Sequence, residues 1–299
     1  MPPKTIFIIT GPTAVGKTAL SIQLAQHLNT EIISADSRQC FRELNIGVAK
    51  PSEAELKTVK HYFINSHSIH DNVNAAAFEQ SSLQWADEIF SRHDAAVMVG
   101  GTGLYIQAFC KGLDDIPPVS TEIRTAVWNG YNEHGITWLQ QKLHELDPLF
   151  TETGNPQRMM RALEVVMGTG RSILSFHSNE GRQRPFKIVK IGLDVPRPEL
   201  YERINQRVDK MMDEGLLEEA KELFPHRHLN ALQTVGYTEL FEHFEGKISL
   251  QNAIDLIKQH TRNYAKRQLT WFRRDPEIKW FSPDDGPAII KNPALLRDP

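Results

Sequence analysis

Residues 5–18, Thr-Ile-Phe-Ile-Ile-Thr-Gly-Pro-Thr-Ala-Val-Gly-Lys-Thr, decide the fold of this chain. The first six residues are β-branched or aromatic and predict a buried strand from Thr5 to Thr10. The next eight match G-x-x-x-x-G-K-[ST], and a helix is predicted to follow from Thr18 to Leu28. A strand, a glycine-rich turn and a helix in this order predict a phosphate-binding loop, because the turn amides and the helix N-terminus both face a bound anion.

This phosphate loop supplies backbone amides and two useful side chains. Lys17 can reach the outer phosphates, and the Thr18 hydroxyl can hold a Mg²⁺ ion, so Thr18 is the predicted metal ligand. A nucleoside triphosphate is the default occupant, but the same loop suits any diphosphate. The predicted diphosphate-binding residues are Gly11, Pro12, Thr13, Ala14, Val15, Gly16, Lys17 and Thr18.

The segments around the loop predict an α/β fold. Residues 31–35 and 95–99 are apolar strand candidates, and an amphipathic helix is predicted from Asn74 to Arg92. Strands that alternate with helices of this length indicate a parallel sheet covered on both faces. We therefore expect a P-loop NTPase-like parallel sheet flanked by helices.

The pattern changes after residue 113, which predicts an all-helical insert domain. Residues 114–118 form a turn-rich link, residues 120–176 have only helical periodicity, and residues 186–195 return to a strand pattern. We predict a core at 1–113, a helical insert at 114–185, and a return to the core plus C-terminal helices at 186–299, the longest running from Leu250 to Arg273.

Composition excludes several classes of protein. The 299 residues are 40% hydrophobic and 24% charged, which rules out a collagen-like or wholly disordered chain. No apolar run approaches the ~20 residues of a membrane span. Two cysteines, Cys40 and Cys110, predict a reduced, cytoplasmic setting. The net charge of −3 argues against bulk attraction to nucleic acid but leaves local basic patches open.

Asp36 is the first candidate for chemistry. It follows a strand that we expect beside the phosphate-loop strand, and ligand sites in open α/β sheets lie at such strand ends. Its carboxylate could bind Mg²⁺, act as a general base, or simply cap a turn. The residues alone leave these three roles open.

An ordered set of further segments carries a resemblance. Asp36-Ser37-Arg38-Gln39 is followed by Gly47-Val48-Ala49-Lys50-Pro51, and the later segments are residues 99–105, 158–165, 235–237 and 266–272. The set resembles the tRNA dimethylallyltransferases, the tRNA isopentenyltransferase family, over almost the whole chain. Val48 stands where the family usually has Thr.

The resemblance implies a prenyl transfer. Family members move a dimethylallyl group from dimethylallyl diphosphate to the N6 amine of the adenosine 3′-adjacent to the anticodon, releasing pyrophosphate. The phosphate loop would then hold the donor's diphosphate together with Mg²⁺, and Asp36 would be the general base. Thr102 would orient the amine and Arg207 would bind the diphosphate. The implied catalytic residues are therefore Asp36, Thr102, Lys17 and Arg207. Without the resemblance, the favoured interpretation of Arg203 and Arg207 is a solvated helix face that the two residues share.

The resemblance also implies a tRNA anticodon stem-loop as partner, and a monomer. The implied tRNA-binding residues fall in three segments: Asp36, Ser37, Arg38 and Gln39; Gln157, Arg158, Met159, Met160 and Arg161; and Gln233, Thr234, Val235, Gly236, Tyr237 and Thr238. Gln233 and Thr238 stand where many relatives carry basic side chains.

Two basic segments suggest RNA contact independently. Residues 258–274 contain six Lys or Arg, no acid, and the aromatic residues Tyr264, Trp271 and Phe272. The alternative is a helix whose aromatic residues are core and whose charges face water. In residues 158–190 seven basic residues outnumber two acids, which predicts a second positive surface.

Two other enzyme classes remain as alternatives. A small-molecule or nucleoside kinase would use Asp36 for Mg²⁺ or the acceptor hydroxyl, but the helical insert is large for a small substrate. A nucleic-acid-binding ATPase would need an acid after the strand at 95–99, where the sequence has Gly100-Gly101. A prenyltransferase acting on free adenylate is also conceivable, and the insert and basic helix favour tRNA over it.

Overall fold

The computed structural model describes residues 3–177 and 181–291, which fall into two compact units. The first unit takes its residues from Met1–Lys111 and Gln183–Pro299, and the second unit from Gly112–Arg182. The second unit thus starts and ends slightly earlier than the insert predicted at 114–185. Within the described part of the chain, no helix is long and apolar enough to cross a membrane.

The first unit is built on one parallel sheet. Its strands are β1 (Thr5–Thr10), β2 (Ile32–Ser34), β3 (His61–Tyr62), β4 (Ala95–Val99), β5 (Lys187–Leu193) and β6 (Ile278–Phe281). All neighbours pair in parallel, in the order β3-β2-β4-β1-β5-β6. The central strand β1 is buried on both faces, since Ile6, Ile8 and Ile9 are all fully buried. The predicted parallel α/β sheet is confirmed.

Helices connect and cover these strands. They are α1 (Lys17–His27), α2 (Glu53–Thr58), α3 (Ala75–Phe90), α4 (Gly103–Lys111), α5 (Thr121–Leu146) and α6 (Pro156–Thr169), then α7 (Arg197–Asp213), α8 (Leu216–Leu223), α9 (Tyr237–Phe244), α10 (Leu250–Phe272) and α11 (Gly286–Lys291). The start predicted at Asn74 is confirmed, because its side chain accepts from the Ala76 and Ala77 amides.

Three features of the sheet differ from prediction. The strand β3 has two residues, too few for a periodic signal, and β6 lies in a tail predicted to be helical only. The strand β2, which ends before Asp36, was expected beside β1 but is separated from it by β4. Strand order depends on long-range pairing, which local sequence does not encode.

The second unit contains α5 and α6, packed through their apolar faces. Ser120 caps α5 by accepting from the Ile123 amide, and Asn155 caps α6 by accepting from the Gln157 and Arg158 amides. Gly135, with φ 72°, bends α5 between its two halves. The core of this unit includes Val127, Leu139, Leu143, Met159 and Leu163.

The predicted positive surface at 158–190 is wrong for two of its residues. The Arg184 side chain is only 9% exposed, and it donates to Glu79 Oε1 at 2.8 Å and to the carbonyls of Ala108 and Phe109. Lys190 is buried in β5 and pairs with Asp275 and Glu277 at 2.6 Å each. These cations hold distant parts of the first unit together, so they cannot attract RNA.

We expect Arg184→Met to lower the free energy of unfolding by about 3 kcal/mol, because it leaves the buried Glu79 carboxylate without this cation. Urea denaturation followed by circular dichroism measures the change. Arg197→Met, at an exposed position on α7, is the matched control and should change stability by less than ~0.5 kcal/mol. Equal effects of the two substitutions would contradict a role for the buried pair.

Candidate active site

The phosphate loop links β1 to α1 in the conformation that an anion-binding turn needs. Gly11 and Gly16 have φ of 135° and 106°, values that side chains disfavour, and Ala14 also has a positive φ of 64°. A Cβ at Gly11 would overlap the carbonyl oxygen of Leu193 at the end of β5. The loop is therefore pressed against the sheet, and Gly16 forms the N-cap position of α1.

Two cations lie beside this loop. Lys17 Nζ donates to the Pro12 carbonyl at 2.6 Å, and Arg207 Nη1 lies 3.5 Å from Thr13 Oγ1. Burial of the ammonium, and then the charge of Arg207, lower the pKa of Lys17 to about 7, while Asp36 opposes the shift. Burial also lowers the pKa of Arg207. An anion between these groups would relieve the cost of burying them.

Arg203, which shares its helix with Arg207, is placed differently. Its guanidinium pairs with Glu199 at 2.6 Å and reaches the Val15 carbonyl only at 3.5 Å. The solvated-face interpretation thus fits Arg203 in part. It does not fit Arg207, whose guanidinium reaches Thr13 of the phosphate loop, although both arginines line the cavity.

Asp36 sits in a tight turn directly after β2. Its Oδ1 accepts from the amides of Arg38 at 2.9 Å and Gln39 at 3.3 Å, which is an Asx-type turn. The Ser37 amide donates to Thr102 Oγ1 at 3.0 Å, so Thr102 and the Asp36 turn are held together. Asp36 therefore both stabilises a turn and lies close enough to raise the pKa of Lys17 and Arg207 by its charge.

One cavity of about 630 Å³ in the first unit collects most of the predicted residues. It extends from the phosphate loop to the Asp36 turn and the segment before α9. The predicted site residues that line it are Thr13, Ala14, Gly16, Lys17, Thr18, Asp36, Ser37, Arg38, Gln39, Arg207, Thr234, Val235 and Gly236.

Other predicted residues lie elsewhere. Three residues of the phosphate loop, Gly11, Pro12 and Val15, are buried and do not line the cavity. Gln233 and Thr238 line a separate, more open cavity with His260 and Arg267. The Tyr237 side chain is fully buried, and its hydroxyl donates to Glu219 Oε1 at 2.7 Å. Direct contact of that ring with tRNA is therefore excluded in this conformation.

The five predicted tRNA-binding residues of the second unit, 157–161, differ in how far their side chains are exposed. Gln157 and Arg158 are exposed, and Arg161 is half-buried beside Glu164. Met159 and Met160 belong to the core of the unit, with 0% and 9% exposure. Helix α6 turns these two side chains inward, away from solvent, and their assignment to tRNA binding stays a prediction.

Helix α10 agrees in part with each of the two interpretations of its basic sequence, which were RNA contact and a purely structural helix. Phe272 is core, and Lys258 and Arg273 pair with Asp209 and Asp194, as expected for a structural helix. Three cations, Lys266, Arg267 and Arg274, are exposed. We use the name basic face of α10 for these three residues, including Arg274, which lies just past the end of the helix at Phe272, and they remain candidates for phosphate contact.

Two residues with polar contacts in this region were not predicted. Gln268 on α10 lines the cavity and hydrogen-bonds two of its loops. Glu219 on α8 accepts from the amides of Asn45, Ile46 and Gly47, which precede a stretch lining the cavity. Gln268 lies in the segment 266–272 that carries part of the resemblance, which is a signal for it. Glu219 has no local sequence signal, because it acts on a segment far away in the chain.

The residues present suit a Mg²⁺ ion that arrives with a diphosphate. Among the described residues no group of three His, Cys, Asp or Glu could hold a metal by itself. Thr18 lines the cavity beside the phosphate loop. One or two protein ligands completed by phosphate oxygens and water are what Mg²⁺ ordinarily accepts, so the donor set fits that ion.

Comparison with known sequences gives a consistent set of relatives. The family model described as IPP transferase matches residues 39–275. A tRNA dimethylallyltransferase of Christiangramia forsetii is 52% identical over 285 residues, which cover 94% of both chains. The tRNA dimethylallyltransferase 1 of Bacteroides thetaiotaomicron is 44% identical over 290 residues, covering 96% of this chain and 94% of its own.

Solved structures agree with the sequence relatives. The full-length tRNA isopentenylpyrophosphate transferase of Bacillus halodurans is similar with a TM-score of 0.72 and 36% identity, covering 98% of this chain and 96% of its own. A eukaryotic dimethylallyltransferase acting on tRNA has a TM-score of 0.78 over 99% of this chain and 80% of its own, and at 24% identity it supports the fold alone. The predicted P-loop NTPase-like fold is confirmed.

We expect pyrophosphate binding to take up a proton at Lys17. The bound anion favours the ammonium and raises a pKa that lies at about 7 in the free protein. Uptake should therefore approach about one proton per site at pH 8 and be small at pH 6, where Lys17 is already charged. Calorimetry in buffers of different ionisation enthalpy measures it.

The control for this titration is Lys17→Arg, which keeps a cation that does not titrate in this range. Protonation of pyrophosphate itself is common to both proteins and cancels in the difference. The same uptake in both proteins would show that another group accounts for it.

Proposed function

The chain belongs to the IPP transferase family, and on that basis we propose that it transfers a dimethylallyl group from dimethylallyl diphosphate to tRNA. It is a prenyltransferase of tRNA modification. The acceptor in our proposal is the N6 amine of the adenosine 3′-adjacent to the anticodon, and pyrophosphate is the leaving group.

The observation that carries the proposal is the pairing of a buried cationic loop with a carboxylate in one cavity. Lys17 and Arg207 are cations whose burial is unfavourable until an anion binds. As the bond between the prenyl carbon and oxygen breaks, negative charge develops on the diphosphate. These cations and the loop amides are already oriented to stabilise that charge, which lowers the barrier.

Asp36 supports the acceptor half of the reaction. An exocyclic amine is a weak nucleophile, and it must lose a proton as it attacks the prenyl carbon. A carboxylate held by the Arg38 and Gln39 amides is fixed in orientation and can accept that proton. Thr102, bonded to the Ser37 amide, is near enough to this turn to orient the amine.

The substrate side of the proposal is an RNA loop. An adenosine in the anticodon loop can enter an enclosed cavity only when it leaves its stack, and such loops are where proteins read RNA by shape and unstacked bases. The exposed residues Gln157 and Arg158 on α6, and the basic face of α10, are the surfaces we assign to the tRNA backbone.

Mg²⁺, the compartment and the oligomeric state complete the proposal. Thr18 and the donor diphosphate would hold the ion, which would neutralise charge on the leaving group. The tRNA substrate favours the cytoplasm, in agreement with the reduced cysteines Cys40 and Cys110. We propose a monomer, as the resemblance implies.

The kinase alternative finds no support in the relatives. The activities for which they are named are prenyl or isopentenyl transfers involving tRNA. An ATPase lacks its acid, because β4 is followed by Gly100 and Gly101, and a Cβ at Gly100 would overlap the Ala35 backbone. This close approach of β2 and β4 leaves no room for a carboxylate side chain at Gly100.

We expect Asp36→Asn to lower the rate of transfer from labelled dimethylallyl diphosphate to unmodified tRNA by about 10²–10⁴-fold, since asparagine preserves the turn but accepts no proton. Pyrophosphate affinity should stay within about threefold. Scintillation counting of precipitated tRNA measures transfer, and Asp213→Asn, exposed at the end of α7, is the matched control.

The proposed function fails if the wild-type chain transfers no label to tRNA but phosphorylates a small molecule or hydrolyses ATP rapidly. An Asp36→Asn variant with full activity would leave prenyl transfer intact and refute only the role of Asp36 as the base.

The basic face of α10 should determine the salt dependence of tRNA binding. Arg267→Ala and Arg274→Ala should each weaken binding and reduce the slope of log Kd against log salt by up to ~1, as expected for loss of one phosphate contact. Filter binding over 50–200 mM salt measures it. Lys57→Ala on α2, where Lys57 is exposed beside Glu53, should leave the slope unchanged.

A further inference from the structure

Gln268 is a buried polar residue between two loops of the cavity. It lies near the C-terminal end of α10 and is only 6% exposed. The phosphate loop approaches it from one side and the β4–α4 loop from the other. A polar side chain buried this deeply must have its hydrogen bonds satisfied, and the identity of its partners shows what it holds in place.

The amide of Gln268 makes one bond to each loop. The Thr13 amide donates to Gln268 Oε1 at 2.8 Å, and Gln268 Nε2 donates to the Gly101 carbonyl at 3.0 Å. A backbone N–H can only donate and a carbonyl can only accept, so the two partners fix the orientation of the side-chain amide. A Cβ at Gly101 would overlap Gln268 Nε2, which shows how closely the helix approaches this loop.

These bonds continue to the acceptor side of the site. Thr102 follows Gly101, and its Oγ1 accepts from the Ser37 amide next to Asp36. A series of hydrogen bonds thus runs from the phosphate loop, through Gln268 and the Gly101–Thr102 segment, to the Asp36 turn. The groups that bind the leaving group and those that orient the nucleophile share one fixed connection.

We propose that Gln268 is a positioning residue for the transfer reaction, setting the distance between the phosphate loop and the Thr102–Asp36 side of the cavity. This inference rests on the proposed function. Because small displacements of reacting groups cost large factors in rate, loss of this connection should lower kcat more than it weakens tRNA binding.

The substitution Gln268→Glu tests the donor half of the amide specifically. An ionised carboxylate still accepts from Thr13 but places an oxygen against the Gly101 carbonyl, so we expect kcat to fall by roughly tenfold or more at pH 8–9. A protonated carboxyl has the shape of the amide and an O–H that can donate to that carbonyl. The ratio of variant to wild-type kcat should therefore rise as the pH falls.

Dividing the kcat of the variant by the kcat of the wild type at each pH removes the effects of groups that titrate in both proteins. The charged and titratable side chains that line the cavity are Lys17, Asp36, Arg38, Glu55, His61, Arg203, Arg207 and Tyr264. All are present in both proteins, so their common effects on rate cancel. Gln259→Glu, an exposed position on the same helix, is the matched control and should give a ratio near one at every pH.

A second variant, Gln268→Met, removes both bonds without adding charge. It should lower kcat by roughly tenfold or more at all pH values, with KM for tRNA within about threefold of wild type. It should also weaken pyrophosphate binding, measured by calorimetry, because the Thr13 amide loses its acceptor. Thermal unfolding of each variant verifies that the protein compared is folded.

The inference is overturned if the Gln268→Glu ratio does not change with pH, or if Gln268→Met keeps wild-type kcat and pyrophosphate affinity. Failure of the proposed function is a different result, namely the absence of tRNA prenylation by the wild-type chain. In that case the pyrophosphate affinity of Gln268→Met still decides whether Gln268 holds the phosphate loop.

Discussion

Lys17 is half-buried at the wall of the cavity, its ammonium donates to a backbone carbonyl, and among the described residues no carboxylate forms an ion pair with it. Burying a cation in this way is costly, and the guanidinium of Arg207 adds to the cost. The glycine-rich turn, the start of α1 and the position of α7 all place positive potential at the same point. A polyanion bound at this point would offset the cost of burying these cations.

The parallel sheet explains why the chemistry collects around this point. Strands β1, β2 and β4 end at the same edge, so the phosphate loop, the Asp36 turn and the Gly100–Thr102 segment become neighbours although they are distant in sequence. The tight contact between Gly100 and the Ala35 backbone brings two of these segments together. The phosphate loop supplies the charge, and the neighbouring strand ends supply the groups that act on the acceptor.

Local sequence predicted what depends on local interactions. Strand β1, the phosphate loop, β4 and the cap at Asn74 follow from periodicity, glycine chemistry and side-chain capping within a few residues. It could not predict the two-residue strand β3, the placement of β4 between β1 and β2, or the burial of Arg184 and Lys190, because each depends on partners far along the chain. The burial of Met159 could be predicted from helical spacing only once the ends of α6 were known. The resemblance alone did not predict it.

Helix α10 packs so closely on the β4–α4 loop that side chains at Gly101 and Gly103 would overlap Gln268 and Trp271. The hydrogen bond between Thr13 and Gln268 joins residues 255 positions apart. During synthesis on the ribosome the phosphate loop therefore emerges long before the helix that completes its surroundings. The site stays unfinished until residues 250–272 have also been made, so function has to wait for the synthesis of α10.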